Sequence, residues 1–482
     1  MKQKKENFSE WYTEICSETG ANLADVRYGV QGAIVEMPWA VRIMRKFEEM
    51  LEKEVEADDH EPFLFPTLVP EANINKEKEH VKGFSPELFW VTEAGGSKLA
   101  EKYYLRPTGE SQIYPMFGLW IRSHKDLPYK RYQSRMTVFR FEPTTRPYLR
   151  GREFNFFECH DVFKDHKSAL KQVERDMVYS KKVMYDQLGI PFLFLQRPQW
   201  DKFAGAENTF GAESFTPDGR VNTIASTHDL GQKFAKTYGI KFRDEMEKEE
   251  FGWQTCYGPG LVRIMAGLIA VHGDDRGLVL PFSVAPVQII IVPITFEKGK
   301  KKVFAECQKI EAELKEAGYR VKFDETDNSP GWKFNQWEML GVPIRLEIGP
   351  KEVDEKKVTV ARRDTREKEM ISVNDLKKKI EFLSVDILKT LKKKADAYFD
   401  NHIFEARTLA EVRDILMKNP GIIKAPWCSI NIDGENCSDI LRKETVGGKV
   451  RGVLFNKQEK VSGKCIICGK KANHLVYIAK SH

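Results

Sequence analysis

A change of pattern at Pro286 restricts the fold of this chain more than any other feature. Downstream of it, extended apolar runs alternate with segments of helical period. Residues 287–294 read as a buried strand, 303–317 as a helix stopped by Gly318, and 321–323 as a strand. Residues 330–340 are again helical, 344–348 and 358–360 extended, and 374–394 helical. Parallel neighbours need a crossover between them, so this alternation predicts a compact parallel or mixed α/β domain of about 110 residues. Between Lys98 and Pro281 the pattern is different: short extended runs (103–106, 136–141, 155–158) follow one another, with helical period over 170–188. Strands in succession predict a largely antiparallel sheet with helices packed on it. Ahead of that, apolar residues at helical spacing over 40–51, an acidic run 52–59 and an extended stretch 62–66 predict a helix feeding a proline-bounded strand.

At 482 residues the chain exceeds what one hydrophobic core organises, and three units are expected. Its 41 % apolar residues fill several cores, and 77 basic against 71 acidic residues leave only +6, which excludes disordered and collagen-like classes. No run approaches the ~18 apolar residues of a membrane span, and Met1 to Glu6 lead into polar sequence. The expectation is a soluble, cytoplasmic protein with no membrane partner. Four of the eight cysteines, Cys428, Cys437, Cys465 and Cys468, lie in the segment after about Asp396. Their clustering argues for a metal site rather than a disulfide framework, and four thiolates would close a tetrahedral structural zinc site, with His474 as an alternative ligand.

Chemistry-bearing residues gather in a few segments. On a strand, Arg140 and Glu142 would project to one face; a guanidinium forks phosphate oxygens, a carboxylate accepts from an exocyclic amine, and Phe154 offers an aromatic face to a purine. Alone, an Arg-x-Glu pair is more often a surface ion pair. Thr108 and Glu110 put a hydroxyl and a carboxylate on a glycine-relaxed turn suited to a cationic amine, although a solvated turn would look the same. His228 lies between hydroxyl residues and a helix start. Residues 258–263 lead from glycines into an apolar helix, with Arg263 in its first turn, where a phosphate is favoured, although a mere cap would look alike. Cys256 reads as a pocket-wall residue rather than a nucleophile.

These segments, in this order, resemble a known family. Pro66 closing a helix–strand unit, Arg140-Phe141-Glu142 with its loop, and 258–263 with the following helix resemble motifs 1, 2 and 3 of class II aminoacyl-tRNA synthetases. The resemblance is closer to their prolyl branch of archaeal and eukaryotic type, on Arg-Pro-Thr-x-Glu at 106–110, Ser-Thr-His-x-Leu-Gly-Gln at 226–232, His-Gly-Asp-Asp-x-Gly-Leu at 272–278 and Gly-Val-Pro-Ile-Arg-Leu-Glu-Ile-Gly-Pro at 341–350.

The resemblance implies an α/β protein in three parts. They are an α+β catalytic domain over 1–283 with an antiparallel six- to seven-stranded sheet, an α/β anticodon-binding domain over 284–395, and a small zinc-binding α/β domain over 396–482. It implies ATP-dependent ligation of L-proline to tRNA(Pro) through a prolyl-adenylate, with Mg2+ accompanying ATP and a second copy forming a homodimer through motif 1. By resemblance Arg140 and Arg263 are catalytic. ATP would meet Arg140, Glu142, Arg150, Arg152, Phe154, Thr223, Ser226 and Arg263. Proline would meet Thr108, Glu110, Arg140, Phe156, Phe203 and His228, and the anticodon Glu338, Arg345 and Lys368.

The chain departs from the family pattern around the amino acid. It has Gly109-Glu110-Ser111 for Ser-Glu-Thr, Cys256-Tyr257-Gly258 for Ser-Trp-Gly, and Phe282 for a proline, and it ends in His482 where the family ends in a tyrosine that folds toward the active site. Two rivals stay open at this stage: a synthetase-like tRNA-binding or regulatory protein without activation, and a class II synthetase for another small amino acid such as threonine.

Overall fold

The structure, a computed structural model, describes residues 3–80, 87–295, 299–457 and 459–482. Helix α1 (Pro38–Glu56) starts on a proline, whose missing N–H would have no partner in the first turn anyway, and buries Ile43, Met44, Phe47, Leu51 and Val55 along one stripe. The strand expected over 62–66 shrinks to β1 (Glu61–Pro62), since Pro62 and Pro66 give the ladder no donor. Then come α2 (Glu110–Trp120), β2 (Tyr129–Phe139), β3 (Glu153–Phe163) and α3 (His166–Ser180). The Asp165 carboxylate caps α3 by accepting from the Ser168 N–H at 2.8 Å. Strands β4 (Leu193–Gln196), β5 (Asn208–Phe215), β6 (Arg220–Gly231) and β7 (Trp253–Pro259) precede the apolar helix α4 (Leu261–His272).

The alternating segment folds as β8 (Ile289–Pro293), α5 (Lys300–Glu316), β9 (Val321–Phe323), α6 (Pro330–Met339), β10 (Ile344–Ile348), β11 (Lys357–Arg362), β12 (Lys368–Ser372) and α7 (Leu376–Asp400). Its five-stranded sheet has the order β9-β8-β10-β11-β12, with β8 parallel to both neighbours and the rest antiparallel, the mixed sheet the alternation predicts. The last segment adds β13 (Ile403–Glu405), β14 (Ile422–Trp427), β15 (Lys449–Leu454) and β16 (His474–Ser481).

Those four strands do not form a sheet of their own. They extend the main sheet to eleven strands in the order β13-β14-β16-β15-β4-β5-β6-β7-β3-β2-β1. The seam is β15 on β4, Val453 opposite Gln196 and Leu454 opposite Leu195, and the end of β16 runs parallel to the start of β6. One face of the seven strands β1 to β7 is closed by α1, α3 and α4, where Phe47, Leu51, Phe157, Cys159, Ile224, Tyr257, Leu261 and Ile264 form one core. Because side chains alternate, the even positions of β3 then face the other way. No helix among the described residues is long and apolar enough to cross a membrane.

Candidate active site

The open face of the main sheet collects the chemistry through strand parity and one bulge. On β3, Phe154, Phe156, Glu158 and His160 share that face; on β7, Cys256 and Gly258 lie opposite His160 or His228 and Ser226. In β6 the register against β5 slips by one residue at Ile224, with Ala212 opposite Ala225 but Glu213 opposite Thr223. A bulge of one residue reverses the facing of everything beyond it, so Thr223 joins Ser226 and His228 on the open face.

At one end of this face lies a buried acidic pocket. Glu110, the first residue of α2, is 1 % exposed and accepts from Thr108 Oγ1 at 2.6 Å. Glu158 accepts the Gly109 N–H at 3.1 Å, and His160 Nε2 lies 3.0 Å from the same Glu158 oxygen while its Nδ1 meets the Tyr114 hydroxyl at 2.9 Å. A Cβ at position 109 would stand 2.2 Å from Glu158 Oε1, so a side chain there would require the Glu158 carboxylate to shift. Burial raises the Glu110 pKa, the His160 charge works against that, and Glu158 adds to it. Burial acts to lower the His160 pKa, but the two carboxylates more than offset it and the pKa is raised. Cys256 Sγ sits 3.8 Å from Glu110 Oε1, and burial first, then these carboxylates, push its thiol pKa up, so it is no thiolate nucleophile.

His228 closes the pocket from β6. Its Nδ1 meets Thr209 Oγ1 at 3.0 Å, its Nε2 meets Ser226 Oγ at 3.1 Å, and the Phe203 ring packs 4.8 Å away. Burial, with help from Arg197 and His160, lowers its pKa to about 3, so the ring is neutral. Phe156 packs edge-on to Phe154 at 6.3 Å.

At the other end lies the arginine-rich loop after β2. That strand ends at Phe139, so Arg140 and Glu142 lie beyond it and strand alternation does not align them as the sequence predicted. Arg140 is exposed and its guanidinium has no partner among the described residues, whereas Glu142 accepts from Arg150 Nη1 at 3.0 Å. Arg152 donates to the Glu142 carbonyl at 2.9 Å and stacks over Phe141 at 4.3 Å. Arg263 lies in the first turn of α4 with Nη1 3.4 Å from Asn222 Oδ1; burial, then the Arg150 charge, lower its pKa to about 10, with Glu213 and Glu142 opposing. A cavity of about 440 Å³ opens beside the loop, lined among others by Glu36, Arg146, Arg150 and Phe154. The chain end reaches this loop: Arg150 Nη2 donates to the His482 oxygen at 2.6 Å.

The three residues expected at the anticodon lie together against the five-stranded sheet, Glu338 from α6, Arg345 from β10 and Lys368 from β12. Arg345 donates to Glu338 Oε1 at 3.0 Å and to Glu347 Oε1 at 3.0 and 2.9 Å, Lys368 Nζ reaches Glu347 Oε2 at 3.0 Å, and both cations lie over the Phe334 ring, at 4.0 and 5.3 Å. Sequence reasoning passed over Glu158, His160 and Glu347. Glu347 stands two residues from Arg345 on β10, and Glu158 and His160 stand two and four from Phe156 on β3, so period-two facing was the signal available. The four clustered cysteines bring their sulfurs within 4.8 Å of one another, Cys428 and Cys437 at 3.7 Å, and His474 is not among them.

A sheet with helices on one face, and on the other a buried carboxylate pocket beside an arginine loop, matches the architecture of a class II synthetase. Residues 89–272 match the family model of the tRNA synthetase class II core domain (G, H, P, S and T), 288–383 that of an anticodon binding domain, and 409–482 that of the prolyl-tRNA synthetase C-terminal region. A proline–tRNA ligase of Thermofilum pendens is 50 % identical over 99 % of this chain and 98 % of its own, and one of Pyrococcus abyssi is 39 % identical over 100 % and 99 %. Among solved structures, the Giardia lamblia prolyl-tRNA synthetase in complex with prolyl-adenylate superposes with a TM-score of 0.95 at 30 % identity, covering 100 % of this chain and 99 % of that one. The Cryptosporidium parvum enzyme complexed with halofuginone and AMPPNP gives 0.91 at 33 % identity, covering 100 % and 97 %. The chain belongs to the proline–tRNA ligase family.

Proposed function

We propose that this proline–tRNA ligase activates its amino acid in the pocket of Thr108, Glu110, Phe156, Phe203 and His228, and its nucleotide along Arg140, Glu142, Arg150, Arg152, Phe154, Thr223, Ser226 and Arg263. The observation that carries the reading is the Glu110 carboxylate, buried at 1 % exposure against the Thr108 hydroxyl and Cys256, whose strand neighbour on β6 is the neutral His228 packed on Phe203. A secondary ammonium with a small apolar ring matches that combination: the carboxylate and the Thr108 hydroxyl take the charge, and the rings take the shape.

The reaction needs no covalent side chain. The prolyl carboxylate attacks the α-phosphorus of ATP, pyrophosphate leaves, and the adenylate passes its acyl group to the terminal ribose of tRNA(Pro). Arg140, exposed and with no side-chain partner among the described residues, is available to the α-phosphate and the prolyl carboxylate. Arg263 takes the γ-phosphate on the first turn of α4, Glu142 reads the adenine amine, and Mg2+ enters as part of the ATP substrate. Cys428, Cys437, Cys465 and Cys468 fit a zinc ion, since a tetrahedral Zn–S site places its sulfurs about 3.7 Å apart, and the ion would lock the C-terminal fold without an open position.

Glu338, Arg345 and Lys368 would read the anticodon, the guanidinium forking a guanine edge. The homodimer is supported by apolar surface around Pro66: Leu64 is 72 % and Leu119 58 % exposed, and Trp120, 45 % exposed, packs its ring 5.9 Å from Phe65. Residence in the cytoplasm, where translation consumes charged tRNA, belongs to the same reading. Pyrophosphate exchange compared for proline, cysteine and alanine tests the site: exchange should be strongest with proline, and an absence of exchange with any amino acid would refute it.

A further inference from the structure

Arg451 belongs to the C-terminal segment yet lies in the floor of the catalytic face. Strand β15 has a register slip between Val450 and Gly452 in its pairing with β16. Gly452 stands at φ +138°, where a Cβ would lie 2.1 Å from the Gln196 carbonyl oxygen. Only glycine lets β15 cross against β4 this closely, and the bulge turns Arg451 inward. Its side chain is buried, and Nη2 donates to both Glu213 oxygens, at 3.1 and 3.2 Å, and lies 3.2 Å from Thr223 Oγ1.

Arg197, the residue after the strand that β15 joins, shares this carboxylate. Its Nη2 pairs with Glu213 Oε1 and lies 3.2 Å from Thr223 Oγ1, and its Nη1 is held by Asp201 at 3.1 Å. Glu213 is 0 % exposed; burial opposes its charge, and the two guanidiniums more than offset that, so its pKa is lowered. A hydroxyl has one proton to give and two lone pairs to fill. Thr223 gives its proton to Glu213 and accepts from both arginines, so its rotamer is fixed.

What Thr223 anchors is the bulge of β6. The next residue, Ile224, accepts the Gly260 N–H at 2.9 Å where α4 begins, and the residue before, Asn222, holds Arg263 through its Nη1 at 3.4 Å and its carbonyl at 2.9 Å. Contacts therefore run from Arg451 through Glu213 and Thr223 to the base of α4 and its arginine.

We propose that Arg451 is a positioning residue of the nucleotide site: with Arg197 it holds Glu213 and the β6 bulge in the geometry from which Arg263 meets ATP, which makes the cysteine-bearing segment part of the catalytic face. This rests on the assignment of Thr223 and Arg263 to ATP above. Once Arg451 is gone, Glu213 keeps one guanidinium and the Thr223 hydroxyl loses a partner, so the bulge loosens while the proline pocket keeps Glu110 and Thr108.

The test is proline-dependent pyrophosphate exchange by the full-length protein. Arg451→Met should raise the KM for ATP about tenfold, the size of one lost charge-assisted hydrogen bond, with the KM for proline within twofold and zinc content unchanged. Arg451→Lys, which keeps a charge and one donor direction, should recover part of the loss and serves where the methionine variant does not fold. Thr223→Val separates the two levels. If it leaves the KM for ATP unchanged, the nucleotide assignment itself fails; if it raises that KM and neither Arg451 variant does, the inference alone fails. Equal falls in every constant together with lost zinc would make Arg451 merely structural and overturn it.

Discussion

Arg150 donates through Nη2 to the oxygen of His482, the last residue of the chain, at 2.6 Å and across 332 positions. The same guanidinium holds Glu142 at 3.0 Å, and the His482 ring is itself held by Thr216 Oγ1 at 2.6 Å. The sequence left the docking of the tail open; the hairpin residue Thr216 and the partly buried Arg150 supply the grip on the arginine-rich loop. His482→Ala removes the ring that anchors the chain end. The KM for ATP in pyrophosphate exchange should rise three- to tenfold, of the order of one hydrogen bond to a charged group, with little change for proline.

Glu110→Gln keeps the shape of the acidic pocket and removes the charge proposed to take the prolyl amine. Exchange kinetics should show kcat/KM for proline falling by about 100-fold, the upper range for a buried charge-assisted contact, while the KM for ATP stays within about twofold. Thr108→Val, which removes only the hydroxyl at 2.6 Å from Glu110, should cost less. An equal effect on both substrates would remove Glu110 from the amino-acid pocket.

How far the site could be read in advance depended on whether facing or sequence spacing decided it. The mixed sheet of β8 to β12 follows from strand–helix alternation, and Arg345 lies against Glu338 and shares Glu347 with Lys368. Arg140 and Glu142 do not share a strand, because β2 ends at Phe139, three residues short of Glu142. Thr223 faces the site only because β6 carries an extra residue, an event set by its pairing with β5 and invisible along β6 alone. Nor could composition reveal that β13 to β16 continue the main sheet: the clustered cysteines suggest a separate small unit, while the pairing of Val453 with Gln196 is a long-range contact.

That continuity bears on metal removal. Cys465→Ser leaves three thiolates and should abolish stoichiometric zinc, measured by metal analysis of the purified protein. Because β15 is hydrogen-bonded to β4 and carries Arg451 into the catalytic face, the variant should also melt earlier and bind ATP more weakly. Unchanged metal content would contradict a tetrathiolate site.

Stability should depend on pH through histidines buried in the neutral form. His272 at the end of α4 meets the Leu188 carbonyl at 2.8 Å through Nε2, and burial lowers its pKa from 6.5 to about 4. With the folded pKa depressed, the unfolded chain binds the extra proton first as pH falls. The contribution is complete above about pH 6.5 and is lost progressively down to about pH 4, up to about 3 kcal/mol for this shift. His160 has a raised pKa and acts in the opposite sense, contributing below its ordinary pKa and losing that contribution as pH rises. Denaturant titrations at pH 8 and pH 5 should therefore show a smaller pH-dependent loss for His272→Gln than for the parent protein, although the variant starts lower at pH 8. An identical pH dependence would remove His272 from the account.

The anticodon side can be separated from activation, because pyrophosphate exchange requires no tRNA. Arg345 is 9 % exposed, stacked on Phe334 and tied to Glu338 and Glu347, so its guanidinium is already oriented before any base arrives. A forked contact to a guanine edge discriminates by about 1–3 kcal/mol. Arg345→Gln should thus lower kcat/KM for charging of tRNA(Pro) by roughly ten- to a hundredfold while leaving proline-dependent exchange at its original rate. Glu347→Gln, which frees both Arg345 and Lys368 from their shared partner, should act in the same direction even if it touches no base itself. The five-stranded sheet and the acidic pocket lie in different hydrophobic cores, so a local change at Arg345 leaves the pocket in place. A fall in exchange as large as the fall in charging would mean that Arg345 supports the fold of the whole protein, and its assignment to the anticodon would fail.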